Sequence, residues 1–443
     1  MTETTNNLAR NLLDSRGIKP DASKQYEKLG LTFNPFPRAG ISDLNSTPYL
    51  IGKLEPIDDS VRKGVEDFIT DSLALQGSAS QGKYISAVIR GDYGLGKTQT
   101  LLYAKTILDS FNQLKESSKK PYVIYIDNPG RKLTELIGAV ISQIGEENFK
   151  RYLWNIAFEK IASHKNFKSE LLSYQPNGVS LFDDNIEPFD PIHLVSYKTF
   201  LDAWLKILNP FPKKKKEFQD KLKGFTVTVF SEKFYNSTIA LYFYDLLSEN
   251  IGINKTWEEL TTGGAKELDK KEVFILRAIV DLIESQGYTD FYILVDEFED
   301  VTAGRLSTPE IDKYVTNLRA LIDKDRNWFS LYAMTPNALS RLKQVSPPLG
   351  ERISTKIIDL KPLNEEKAKT ILLNYLNLAR TESNEIFPFD DSGIKSLRDK
   401  SHGIPRVFLK SCYSFLQRAL EELKKGETIN EQFVTKHFQI EEE

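Results

Sequence analysis

The sequence predicts an α/β fold: a parallel sheet flanked by helices, with a large, mainly helical insertion and a helical C-terminal lid. Three observations carry this. Short, nearly continuous apolar runs alternate with stretches of helical period, the pattern of strands buried on both faces. The first of these runs, 84–89, leads into a glycine-rich turn that opens a helix. Between about 150 and 268 strand-like runs disappear and helical periodicity dominates.

The elements follow in order. Residues 1–28 are polar, with one short helical pattern at Leu8, Leu12 and Leu13, and predict a flexible N-terminal arm. Gly30 to Pro37 is an apolar extended segment punctuated by Pro35 and Pro37. A helix is expected over 56–76, because Val61, Val65, Phe68, Ile69 and Leu73 share one face. Strand 84–89, helix 97–111, strand 122–126 and helix 133–144 come next. In the insertion, Phe230, Phe234, Tyr235, Tyr242, Phe243 and Tyr244 recur at spacings that suit a buried helix face. A helix over 271–286 leads back to strands at 291–295, 328–333 and 356–360, and the chain is helical beyond Pro362. The expected organisation is an arm 1–28, a discontinuous α/β base 29–150 and 269–362, an insertion 151–268 and a lid 363–443.

With 443 residues there is room for two or three folded units. A hydrophobic fraction of 40% and a charged fraction of 27% exclude a disordered chain. Lys+Arg 59 against Asp+Glu 62 excludes a globally basic nucleic-acid binder, though not a local basic face such as Lys213–Lys216. The single cysteine, Cys412, excludes an intrachain disulfide framework, and four scattered histidines form no metal-ligand pattern. The polar N-terminus has no apolar targeting core, and no run approaches the ~20 apolar residues that cross a bilayer. A cytoplasmic protein without membrane contact is expected.

The most specific motif is Gly91-Asp92-Tyr93-Gly94-Leu95-Gly96-Lys97-Thr98, a full G-x-x-x-x-G-K-[ST] phosphate loop between a strand and a helix. Its glycines let successive N–H groups face one anion at the helix N-terminus. Lys97 is expected to reach the terminal phosphates of ATP, and the Thr98 hydroxyl to ligate Mg²⁺. With Gln99 on the first helical turn, residues 91–99 are the candidate nucleotide contacts. Phe291 to Val295 is an apolar strand ending in Asp296-Glu297, a Walker B pattern. Asp296 is the second candidate Mg²⁺ ligand, and Glu297 the candidate base that polarises the attacking water.

Together these residues resemble an AAA+ ATPase of the origin-recognition/initiator type, over about 30–150 and 270–425. The resemblance implies further roles. Thr335, at the end of the strand before Pro336, matches the polar sensor that contacts the γ phosphate or the water, with Asn337 in reserve. Arg352 in Gly350-Glu351-Arg352 matches the arginine supplied to a neighbouring subunit's nucleotide, with Arg341 as the second candidate. Gly403-Ile404-Pro405-Arg406 is similar to the lid motif whose arginine contacts the γ phosphate, so Arg406 joins both the catalytic and the nucleotide-binding set. Phe33 or Phe36 is a candidate for the adenine pocket, against a simple core-anchor role. Residues 407–443 leave no room for the winged helix of replication initiators, so none is expected. From Thr256-Trp257-Glu258-Glu259-Leu260 to Asp296-Glu297 the chain is more loosely similar to ATPases of bacterial BREX-type phage-defence systems.

Three functions stay open on the sequence. One is an oligomeric ATPase that assembles or remodels a DNA-associated complex of defence or mobile-element type, acting on double-stranded DNA or a DNA-bound effector. Another is a partner-gated ATP switch without direct DNA binding. The last is a scaffold that nucleotide merely stabilises, which has no need of Glu297, Thr335 and Arg406.

Overall fold

The computed structural model describes residues 25–38, 56, 58–74, 85–114, 118–176, 179, 189, 196–262, 271–302, 306–324, 328–380 and 385–438. The predicted arm lies outside them except for its last four residues, 25–28. The fold is α/β, with a five-stranded sheet, abundant helices and a helical C-terminal region. The strands are β1 (Ser86–Arg90), β2 (Pro121–Ile126), β3 (Asp290–Val295), β4 (Phe329–Met334) and β5 (Lys356–Asp359), in the order β2-β3-β4-β1-β5. Each lies within two residues of its expected position. β2 pairs β3 in parallel from Pro121↔Asp290 to Ile126↔Val295, and β3 pairs β4 in parallel from Tyr292↔Phe329 to Val295↔Tyr332. All six residues of β3 and of β4 are buried, which explains their unbroken apolar runs. Pro121 opens the edge strand, where a missing N–H costs no ladder bond.

In chain order the helices are α1 (Asp59–Ala74), α2 (Lys97–Phe111), α3 (Leu133–Ile144), α4 (Glu146–Ser163), α5 (Lys165–Leu172), α6 (Tyr197–Leu208), α7 (Pro212–Phe234), α8 (Ser237–Leu247), α9 (Ile253–Thr262) and α10 (Lys271–Glu284). Then come α11 (Glu299–Thr302), α12 (Thr308–Lys324), α13 (Pro336–Val345), α14 (Pro347–Ile353), α15 (Glu365–Leu376), α16 (Asp391–Lys400), α17 (Pro405–Glu422) and α18 (Glu431–His437). Among the described residues no helix is long and apolar enough to cross a membrane.

The chain divides into two compact units. One holds the described residues among 1–66, 89–104 and 358–443, the other those among 67–88 and 105–357. The division departs from the expected boundaries. Helices α4–α9 of the predicted insertion share one continuous core with the helices and strands before and after them. Among these helices Phe149, Phe234 and Phe243 meet edge to face, and Trp204 stacks on Phe218 at 4.7 Å. Phe230, Phe234, Phe243 and Tyr244 are core as expected. Tyr235 is not: it ends α7 in the left-handed conformation and is 76% exposed.

In the other unit, α15–α18 build a separate core that includes Tyr26, Leu29, Leu31 and Phe36. Residues 25–28 are therefore not a free arm. The Tyr26 hydroxyl accepts from Gln417, and the Lys28 ammonium donates to the carbonyls of Leu420 and Leu423 at the end of α17. A cation there completes carbonyls that the helix cannot satisfy and complements its dipole.

Candidate nucleotide site

The phosphate loop leaves β1 at Gly91 and ends at Lys97, the first residue of α2. Arg90 holds the end of the strand with a two-pronged pair to Asp359, at 2.6 and 2.8 Å. Gly94 and Gly96 have φ of +77° and +99°, which side-chain-bearing residues adopt at a cost. At Gly94 space is short as well, since a Cβ would stand 2.8 Å from Ile404 and 3.0 Å from Arg406. The loop is thus bent beneath the first turn of α17, and the Arg406 N–H donates to the Gly94 carbonyl at 3.2 Å. Lys97 is 8% exposed; its ammonium donates to the Gly91 carbonyl at 3.1 Å and lies 5.0 Å from the Tyr93 ring centre. Thr98 and Gln99 are half-buried on the first turn of α2, while Asp92 and Tyr93 are exposed.

Beside the loop, within the same unit, lies a cavity of about 150 Å³. Gly94, Leu95, Gly96, Gln99 and Thr100 form one side; Leu363, Ile371, Tyr375, Leu409 and Arg406 come from the C-terminal helical region, and Val61 from α1. Asp58 and Lys367 also line it and form an ion pair at 2.5 Å. Burial pushes the Asp58 carboxyl up, but hydrogen bonds from Lys367 and Ser60 outweigh it and hold the group at about 2. The Arg406 guanidinium has no hydrogen-bond or ion-pair partner among the described residues. An apolar chamber with an unpaired cation, next to a glycine loop and a lysine, suits a nucleoside polyphosphate.

Phe33 and Phe36 do not line this cavity. Phe36 stacks on Tyr375 at 5.6 Å and meets Phe389 edge to face, so it is a core anchor, and Phe33 is exposed.

The acidic pair lies in the other unit, directly after β3. Asp296 is 4% exposed. Its N–H extends the ladder to the Ile126 carbonyl, while its carboxylate accepts from the Tyr125 hydroxyl at 3.0 Å and from the Glu297 N–H at 2.9 Å. Burial, then the Asp296 charge, raises the Tyr125 phenol, so it stays a donor. Glu297 is exposed and has φ +49°, an uncommon conformation for a residue with a Cβ. That twist separates the two carboxyls: Asp296 is held in the interior and Glu297 reaches solvent.

Thr335 caps α13, accepting from the Ala338 N–H at 3.2 Å, and is buried. The cap uses an oxygen lone pair and leaves the hydroxyl proton to donate. Asn337 is exposed. Arg352 is half-buried on α14 and donates to the Pro348 carbonyl of its own helix, and Arg341 is exposed on α13. Lys97, Thr98, Gln99 and Arg406 therefore share one unit, while Asp296, Glu297, Thr335 and Arg352 belong to the other.

Sequence reasoning misses Tyr125, Asp58 and Lys367. Each acts through a partner distant in sequence, and no local motif marks them. The described residues contain no group of three or more His, Cys, Asp or Glu side chains that could cage a metal. Mg²⁺ needs no such cage, because phosphates and waters supply most of its oxygens. Thr98 in one unit and Asp296 in the other each carry a hard oxygen donor of the type that Mg²⁺ takes.

No family model and no curated protein matches this chain. Among solved structures it is similar to the Aeropyrum pernix ORC2 protein, determined as ADPNP–ADP complexes. The TM-score is 0.43 and the identity 13%, over 88% of this chain and 70% of that one. At that level the likeness carries no weight for function.

Proposed function

We propose that the protein binds and hydrolyses ATP with Mg²⁺, and that nucleotide state drives assembly or remodelling of a DNA-associated complex. The observation that carries the nucleotide part is the unpaired Arg406 guanidinium lining the same cavity as Gly94 and Gly96 of the phosphate loop. Lys97 and the loop N–H groups neutralise phosphate charge, and Arg406 adds a cation from the C-terminal helical region. Mg²⁺, when bound, neutralises the developing phosphate charge; Thr98 and Asp296 are the residues to hold it. Glu297 orients water and accepts its proton, Thr335 donates its hydroxyl proton to the reacting group, and Arg352 serves a neighbouring copy. The DNA-associated setting, of defence or mobile-element type, draws its support from the sequence resemblances alone. The nucleotide part is tested by calorimetric titration with Mg·ATP. One molecule bound per chain, with binding weakened at least tenfold in Arg406→Ala, is expected; equal binding by that variant would remove Arg406 from the site.

A further inference from the structure

We propose that Lys213–Lys216 and Phe211, at the start of α7, form a contact surface for the sugar–phosphate backbone of nucleic acid. This deepens the DNA-associated part of the reading above and rests on it.

α7 is held firmly. Phe218, Leu222, Phe230 and Phe234 are buried along one face of its 23 residues. The turn that precedes Phe218 projects out of the core. Successive residues there differ by about 100° around the axis, so the four lysines fan outward instead of forming one stripe. Lys213, Lys214 and Lys216 are exposed and Lys215 is half-buried. None of the four makes an ion pair with a described residue. Lysines elsewhere in this unit do: Lys150 with Glu146, Lys198 with Glu249, and Lys221 with Glu170. Between Ala203 and Lys216 the sequence has Lys206 and these four lysines, and no acidic residue.

Such a cluster costs stability. Neighbouring ammonium groups repel, and the first turn of a helix favours acidic side chains, whereas the first turn of α7 has none and its nearest carboxylates, Glu217 and Asp220, come one turn later. A polyanion relieves both terms, and lysine binds phosphate as a mobile point charge. Beside the cluster Phe211 is 44% exposed, with the Lys214 ammonium 5.7 Å from its ring centre. An exposed ring among unpaired cations offers an apolar face to a sugar or an unpaired base. A membrane surface fits less well, because the apolar face of α7 is already committed to the core and only one exposed ring accompanies the lysines.

The test is fluorescence anisotropy of a labelled DNA duplex, and of a single strand, across a salt series. Wild type is compared with a triple variant, Lys213→Gln, Lys214→Gln and Lys216→Gln, and with Phe211→Ala. The triple variant is expected to bind at least tenfold more weakly at low salt. Its log–log salt slope should fall by about 0.9 for each phosphate that is no longer neutralised. DNA-free ATP turnover should not change, and the melting temperature should hold or rise, because the variant removes like charges from the first turn of α7. A greater loss with single strand than with duplex in Phe211→Ala would mark the ring as a stacking platform; an equal loss would place it against the sugars; no loss on either probe would remove Phe211 from the surface. Wild-type binding that the triple variant fully retains would overturn this inference and leave the DNA-associated reading standing. No wild-type binding to either probe would overturn both. Loss of binding to anionic phospholipid vesicles, with DNA binding intact, would make the patch a membrane surface and overturn the proposal.

Discussion

The N–H of Arg406, second residue of α17, donates to the carbonyl of Gly94 at 3.2 Å. The phosphate loop and the start of this C-terminal helix are thus joined through backbone atoms, and the Arg406 side chain is left free to meet an anion. Gly94 permits the contact by its positive φ and by having no side chain. Gly94→Ala should therefore lower stability by about 1–2 kcal/mol from the backbone conformation alone. The crowded Cβ should also displace α17 and weaken nucleotide binding. Thermal melts and calorimetry on the same preparation check both effects.

Glu297 combines an exposed carboxylate with φ +49°. Glu297→Gln should bind Mg·ATP normally and turn it over about 10²–10⁴-fold more slowly. Stability should follow another order: Glu297→Gly should be more stable than Glu297→Ala by about 1 kcal/mol, because only glycine is at ease there. Turnover assays and denaturant melts separate the chemical role from the backbone one.

The Tyr125–Asp296 hydrogen bond predicts a link between stability and metal. Tyr125→Phe keeps the ring and removes a donor to a buried carboxylate, which should cost about 1.5–3 kcal/mol without metal. Mg·ATP should narrow the difference by supplying a cation to the same oxygens. Melts with and without Mg·ATP measure this; a deficit unmoved by Mg·ATP would count against Asp296 as a metal ligand.

Asp58 gives a pH dependence with a definite sign. Its carboxyl is lowered from 3.8 to about 2 in the fold, so it stabilises the protein above its unfolded value. That contribution is lost as pH falls from about 4 towards 2. Asp58→Asn keeps an oxygen acceptor for Ser60 and loses the charge that pairs with Lys367. The melting-temperature gap between wild type and variant should be constant above pH 4 and close on acidification towards pH 2.

Much of this architecture is legible in the sequence because it is local. The bounds of α2 and α3 coincide with the expected helices 97–111 and 133–144, and each strand is an apolar run between polar breaks. The loop from Gly91 to Lys97 stands between strand and helix as its motif requires. What escapes is long-range. Tyr26 and Phe36 enter a core built from residues more than 300 positions later, which no period within 25–37 reveals. The insertion reads as a separate body because its composition changes, yet its buried residues belong to one core with those of the helices and strands on either side. Tyr235 keeps the aromatic spacing of its neighbours, but it follows the last turn of α7 and points out. Tyr125 and Asp58 carry ordinary local signatures, and only their distant partners give them a place in the site.

The most direct test of the central claim is steady-state ATP hydrolysis against protein concentration, with and without double-stranded DNA, for wild type and Lys97→Ala. The account predicts Mg²⁺-dependent turnover that Lys97→Ala abolishes, with specific activity rising with concentration as Arg352 of one copy serves another, and rising further with DNA. Hydrolysis that persists in Lys97→Ala, or no hydrolysis by wild type under any of these conditions, would contradict it.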